Sequence, residues 1–163
     1  MFKHILVPLD GSRFSSRALP YAIEVAHRFG AEAILLQVVK PATPVATTTG
    51  MAPGTASPAT AEIAVQAALE EEKRNAARAK RYLGSKVREI RSKDIKVSYQ
   101  AVVGDPAQSI MEFSKKEYVD LVVMTTHGKS GLKRAVMGSV ADAVIRESGK
   151  PVLVVRPQTS SKK

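Results

Sequence analysis

Residues 3–12 read Lys3-His4-Ile5-Leu6-Val7-Pro8-Leu9-Asp10-Gly11-Ser12. Ile5 to Leu9 is an unbroken apolar run, and Asp10-Gly11-Ser12 closes it with a turn. A short run that is apolar on both faces reads as a strand buried from both sides. Such strands belong to parallel sheets covered by helices above and below. Working outward, Ala18, Leu19, Ala22, Ile23, Ala26 and Phe29 recur at helical spacing, which predicts one apolar helix face over residues 15–29, with Gly30 as its stop. The alternation then repeats. Further strands are expected at Ala33–Val39, Ile95–Val103, Asp120–Met124 and Pro151–Val155, and further helices at Glu62–Lys93, Ala107–Tyr118 and Gly138–Ser148. In the long helix Leu69, Ala76, Leu83, Val87 and Ile90 form the apolar stripe. Gly104-Asp105-Pro106 is a turn whose proline suits the first turn of the next helix. The pattern is α/β: an open five-stranded parallel sheet with helices on both faces. It forms one domain over residues 1–157, followed by a polar tail over 158–163. Residues 41–61, rich in Pro, Thr, Ala and Gly and nearly uncharged, read as a mobile loop, more simply a linker than a lid.

Composition bounds the function classes. The chain has 163 residues and no cysteine, so disulfides and thiolate metal sites are excluded. No apolar run approaches the roughly 20 residues that span a bilayer, and the opening residues do not read as a signal peptide; cytoplasmic location is expected, with no membrane partner. The formal charge is +10, concentrated over 73–93, where nine Lys or Arg face one acid, Glu89. Such a helix can attract nucleic acid. Tyr82 is its one aromatic, however, and base stacking needs more, so the stretch reads as a solvated face.

Ligands of open parallel sheets bind beyond the carboxyl ends of the strands, where strand order reverses. Two loops there carry suitable chemistry. One is Pro8-Leu9-Asp10-Gly11-Ser12; the other runs from Thr125 through His127, Gly128, Lys129 and Gly131. They share a crevice if the first and fourth strands are neighbours, which the pattern alone leaves open. Gly128 and Gly131 let backbone N–H groups approach an anion. Gly138-Ser139 opens a helix whose N-terminus favours negative charge, and Ser139 can cap it. Lys129, Lys133 and Arg134 add positive charge. The same residues also suit an ordinary turn. Asp10 is either a turn residue or a carboxylate for the nucleoside end, since it would repel phosphate. Gly128-Lys129-Ser130 mimics the end of a P-loop, but that pattern needs glycine at 123, where Val123 stands. His127 reads as loop packing rather than a base, and no G-x-S-x-G elbow supports a nucleophile.

The stretches KHILVPLDGS, LLQVV, VVGDP and DLVVMTTHGKSGLKRAVMGSVADAVIRESGKPVLVVRP together resemble the universal stress protein family. Its nucleotide-binding members carry G-x2-G-x9-G-[ST]. Gly128 and, nine residues on, Gly138-Ser139 match the latter part, with Thr125 at the first glycine. The resemblance implies a Rossmann-like sheet of order 3-2-1-4-5 and homodimerisation through the last strand. It implies adenosine contacts at Asp10, the Val39 backbone and Met124, and phosphate contacts at Gly128, Lys129, Gly138, Ser139 and Val140. The ligand would be ATP or AMP, with Mg2+ accompanying ATP, in a stress-response regulator. Slow ATP hydrolysis or phosphotransfer is the alternative.

Overall fold

The computed structural model describes residues 1–44, 58–90, 94–126 and 137–156. Five strands, β1 (His4–Pro8), β2 (Glu32–Val39), β3 (Val97–Val103), β4 (Leu121–Thr125) and β5 (Val152–Val155), alternate with α1 (Leu19–Phe29), α2 (Pro58–Ile90), α3 (Pro106–Lys116) and α4 (Ser139–Glu147). A single 3-10 turn, Ser15–Ala18, precedes α1. The sheet order is β3-β2-β1-β4-β5 with every pair parallel. Strand order reverses between β1 and β4, and this creates the switch point.

Alternation along β1 sends side chains to two cores. Ile5 and Val7 join α1 and α2 residues in one cluster, which includes Leu19, Ile23, Leu83 and Val87. Leu6 joins Ile110, Phe113, Ala141 and Val144 of α3 and α4 in the other. Ile5, Leu6 and Val7 are fully buried, so the continuous apolar run follows from burial on both faces.

Local chemistry sets the helix ends. Gly30 adopts φ 61° and its N–H reaches back to carbonyls of α1, a left-handed cap that suits glycine. Asp105 is extended and its side chain accepts the Gln108 N–H, with Pro106 as first helical residue. α2 starts at Pro58, four residues earlier than Glu62, because proline's fixed φ and missing N–H cost nothing in a first turn. Residues 58–61 of the expected loop are therefore helical. The rest of that loop from residue 45, residues 91–93, and the tail from residue 157 lie outside the described residues.

Two side-chain expectations and one strand boundary are corrected. Leu69 is exposed (46%) and Ala68 is the buried residue of that turn, while Leu83, Val87 and Ile90 are buried as expected. Phe29 is exposed too, meeting Phe2 edge to face at 5.1 Å. β3 starts at Val97; Ile95 packs on the core from the preceding loop.

The amino ends of the strands, remote from the crevice, are tied by carboxylates. Asp120 accepts the backbone N–H of Lys3 at 2.7 Å and of His4 at 3.0 Å. The His4 and Lys3 amides hold its carboxyl below the ordinary aspartate range. At Glu32 burial raises the carboxyl, but hydrogen bonds from Lys96 and Ser98 outweigh it and lower the group overall. A lowered folded pKa adds stability above the unfolded value, lost as pH falls through the folded one. Asp120→Ala should therefore cost about 1 kcal/mol at pH 7, and the deficit should shrink as pH drops below about 3.9. Chemical unfolding of both proteins from pH 7 to 3 measures this; a pH-independent difference refutes it.

Candidate functional site

A cavity of about 840 Å3 opens at the carboxyl ends of β1, β2 and β4, within the usual size of a small-molecule site. Its floor is built by Pro8 of β1 with Leu9 and Asp10 after it, by Leu36 to Val39 of β2 with Lys40 after it, and by Met124 and Thr125 of β4 with Thr126 after it. The N-terminus of α4 (Gly138 to Ala141) and of α3 (Pro106, Ile110) close one side, and α2 closes the other.

Backbone hydrogen bonds fix these walls. Leu9 N–H donates to Leu36 carbonyl at 2.7 Å, and Gly104 N–H to Val39 carbonyl at 2.9 Å. Thr126 N–H donates to Val155 carbonyl at 3.2 Å, and Gly138 N–H to Thr126 carbonyl at 2.8 Å. The start of α4 is thereby pinned to the end of β4. Gly138 is the N-cap, extended at φ −67° and ψ 147°, and makes no side-chain cap. This corrects the expectation for Ser139, which is the first helical residue and exposed. The first N–H groups of any helix lack intrahelical acceptors, and the dipole adds positive potential there. Those of α4 meet the cavity.

Asp10 does hold its turn. Its Oδ1 accepts the Ser12 N–H at 2.9 Å, and its own N–H donates to Ser15 Oγ at 3.3 Å. Ser15 N–H in turn donates to Ser12 Oγ at 3.1 Å. Gly11 takes φ 82°, a conformation that favours glycine. The turn's carboxylate is thus held at the β1 end of the cavity.

Pro8, Leu9, Asp10, Val39, Met124, Gly138, Ser139 and Val140 all line this one cavity. β1 and β4 are neighbours, so the adjacency that the pattern left open is present. His127, Gly128, Lys129, Gly131 and Arg134 lie outside the described residues. Val123, where the P-loop pattern would need glycine, is a buried residue inside β4.

Sequence reasoning missed the α2 wall. Asn75, Arg78, Ala79 and Tyr82 line the cavity, at spacings of three, one and three that place them on one helical face. Tyr82 hydroxyl and Ser16 Oγ are 2.8 Å apart, which ties α2 to the 3-10 turn. Gln37 was missed as well. A polar residue inside the apolar run Leu35-Leu36-Gln37-Val38-Val39 was its signal. Among the described residues no group of three His, Asp or Glu side chains could hold a metal, and no helix is long and apolar enough to cross a membrane.

Fold and cavity together define a doubly wound parallel α/β protein with its ligand crevice at the topological switch point. Comparison with known proteins narrows this class. The model of the universal stress protein family matches residues 1–156. Universal stress protein MJ0531 of Methanocaldococcus jannaschii is 34% identical over 158 residues, covering 96% of this chain and 83% of the relative. MJ0577 of the same organism is 33% identical over 165 residues, covering 98% of each. Its solved structure superposes with a TM-score of 0.75, covering 98% of this chain and 99% of that one. An Arabidopsis thaliana family protein solved with AMP bound shares the fold at 17% identity and a TM-score of 0.59, covering 99% of this chain and 95% of that one. The chain belongs to the universal stress protein family.

Proposed function

We propose that this chain binds an adenine nucleotide, ATP or AMP, in the switch-point crevice and acts as a cytoplasmic stress-response regulator. The observation that carries the reading is the convergence of three features on one cavity: the Asp10 turn, the end of β4 and the amides that open α4. Phosphates would sit at the α4 amides, with the glycine and basic residues of 127–134 following β4. The nucleoside would lie toward Asp10 and Val39, because a carboxylate repels phosphate. Lys40 and Arg78 add positive charge at the mouth, and Mg2+ would arrive on the triphosphate. A family protein with AMP bound supports the same choice of ligand. Binding is the reading that these features support.

Residues 1–157 would act as one domain. β5 is an edge strand with Leu153 exposed, which supports pairing of two copies there. Titration calorimetry with ATP and AMP should show saturable binding, and native mass spectrometry should find a dimer with retained adenine nucleotide. No heat and no thermal shift at millimolar nucleotide would end the proposal; a monomer at micromolar concentration would end its dimeric part.

A further inference from the structure

The Gln37 side chain lines the cavity, and its Oε1 is buried with no hydrogen-bond partner among the described residues. A buried acceptor left unpaired costs free energy, whereas an apolar side chain of similar shape would not. Gln37 follows Leu36 on β2, and its carboxamide packs against the β1 turn: a Cβ built on Gly11 would stand 3.4 Å from its Nε2. The amide nitrogen thus faces Gly11 and the oxygen is the atom in want of a donor. The residue lies on β2 beside the β1 turn and lines the same crevice as the start of α4.

We propose that Gln37 is the base-specificity residue of the crevice, its Oε1 accepting the exocyclic amine of a 6-aminopurine. This rests on the nucleotide reading above. The amide oxygen offers an acceptor to the exocyclic amine, the donor that distinguishes adenine from a 6-oxopurine. A 6-oxopurine puts an acceptor where adenine has a donor, so two oxygens would face each other. A site built to hydrogen-bond a ligand group rejects the analogue lacking it, because its buried polar atom stays unpaired.

The test is the Gln37→Met variant, close in volume and free of the amide, compared with the wild type for ATP and inosine triphosphate by titration calorimetry. Wild type should prefer ATP by at least about fivefold, the worth of one hydrogen bond. The variant should bind ATP roughly fivefold more weakly and lose the preference. Its ligand-free Tm should equal or exceed that of wild type, since an unpaired buried acceptor has been removed; a role in packing alone would lower Tm and leave the preference intact. Wild type binding both nucleotides equally, or a variant keeping the preference, overturns this assignment and leaves the crevice proposal standing. Wild type binding neither overturns both.

Discussion

Leu83→Ala should lower the free energy of unfolding by about 3 kcal/mol, while Leu69→Ala on the same helix should change it by less than about 0.5 kcal/mol. Leu83 is fully buried in the cluster with Leu35, Ile23, Val87 and Val7. Truncating it loses the transfer free energy of its atoms and leaves a cavity that the surrounding β-sheet cannot collapse to fill. Leu69 is 46% exposed and belongs to neither core cluster. Against a total stability of roughly 5–15 kcal/mol, the first loss is large, and it should lower Tm by about 6–12 °C in a chain of this size. The site should feel it too. Leu83, Val87 and Ile90 fasten α2 to the sheet, and the same helix carries Asn75, Arg78 and Tyr82 into the crevice. Urea unfolding followed by circular dichroism measures both variants. Equal losses in the two would mean that α2 is seated on a different face.

That contrast also marks where sequence reading of this chain succeeds and where it stops. Runs such as Ile5-Leu6-Val7 identify buried parallel strands because both sheet faces are covered, and each side chain finds a different core. Helix periodicity located α2 and three of its buried residues. It misplaced Leu69, because the turn that carries it turns Ala68 inward and leaves Leu69 on the outer side of the helix. The order 3-2-1-4-5 came from the family resemblance; hydrophobic pattern does not say which parallel strands become neighbours. The first loop of the site was readable as Asp10-Gly11 at a strand end, and the opening of α4 as Gly138-Ser139. The α2 wall was not, since Asn75 and Arg78 look like any solvated helix residues until α2 is docked over β2. Ser139 was read as a cap because serine favours that role, yet Gly138 takes the extended N-cap geometry and leaves Ser139 inside the helix.

Gly138→Asp should move stability and binding in opposite directions. Gly138 sits at φ −67° and ψ 147°, a region open to any L residue, so the substitution introduces no backbone strain. An aspartate there can accept the N–H of the second or third helical residue, and it complements the helix dipole. The ligand-free protein should hold its Tm or gain up to about 0.5 kcal/mol. The same carboxylate would occupy amides that the proposed phosphate needs and set like charges beside each other. At about 4 Å and an effective dielectric near 20, that repulsion is roughly 4 kcal/mol before salt screening. ATP affinity should therefore fall at least about thirtyfold, a conservative 2 kcal/mol, with part of it recovered at high salt. Gly138→Ser supplies the control: a comparable cap without the charge, and so a much smaller loss of ATP binding. Calorimetric titration and thermal unfolding on the three proteins decide the matter. A Gly138→Asp variant that binds ATP as wild type does would place the phosphates away from α4, and the dipole at its N-terminus would have no part in holding the ligand.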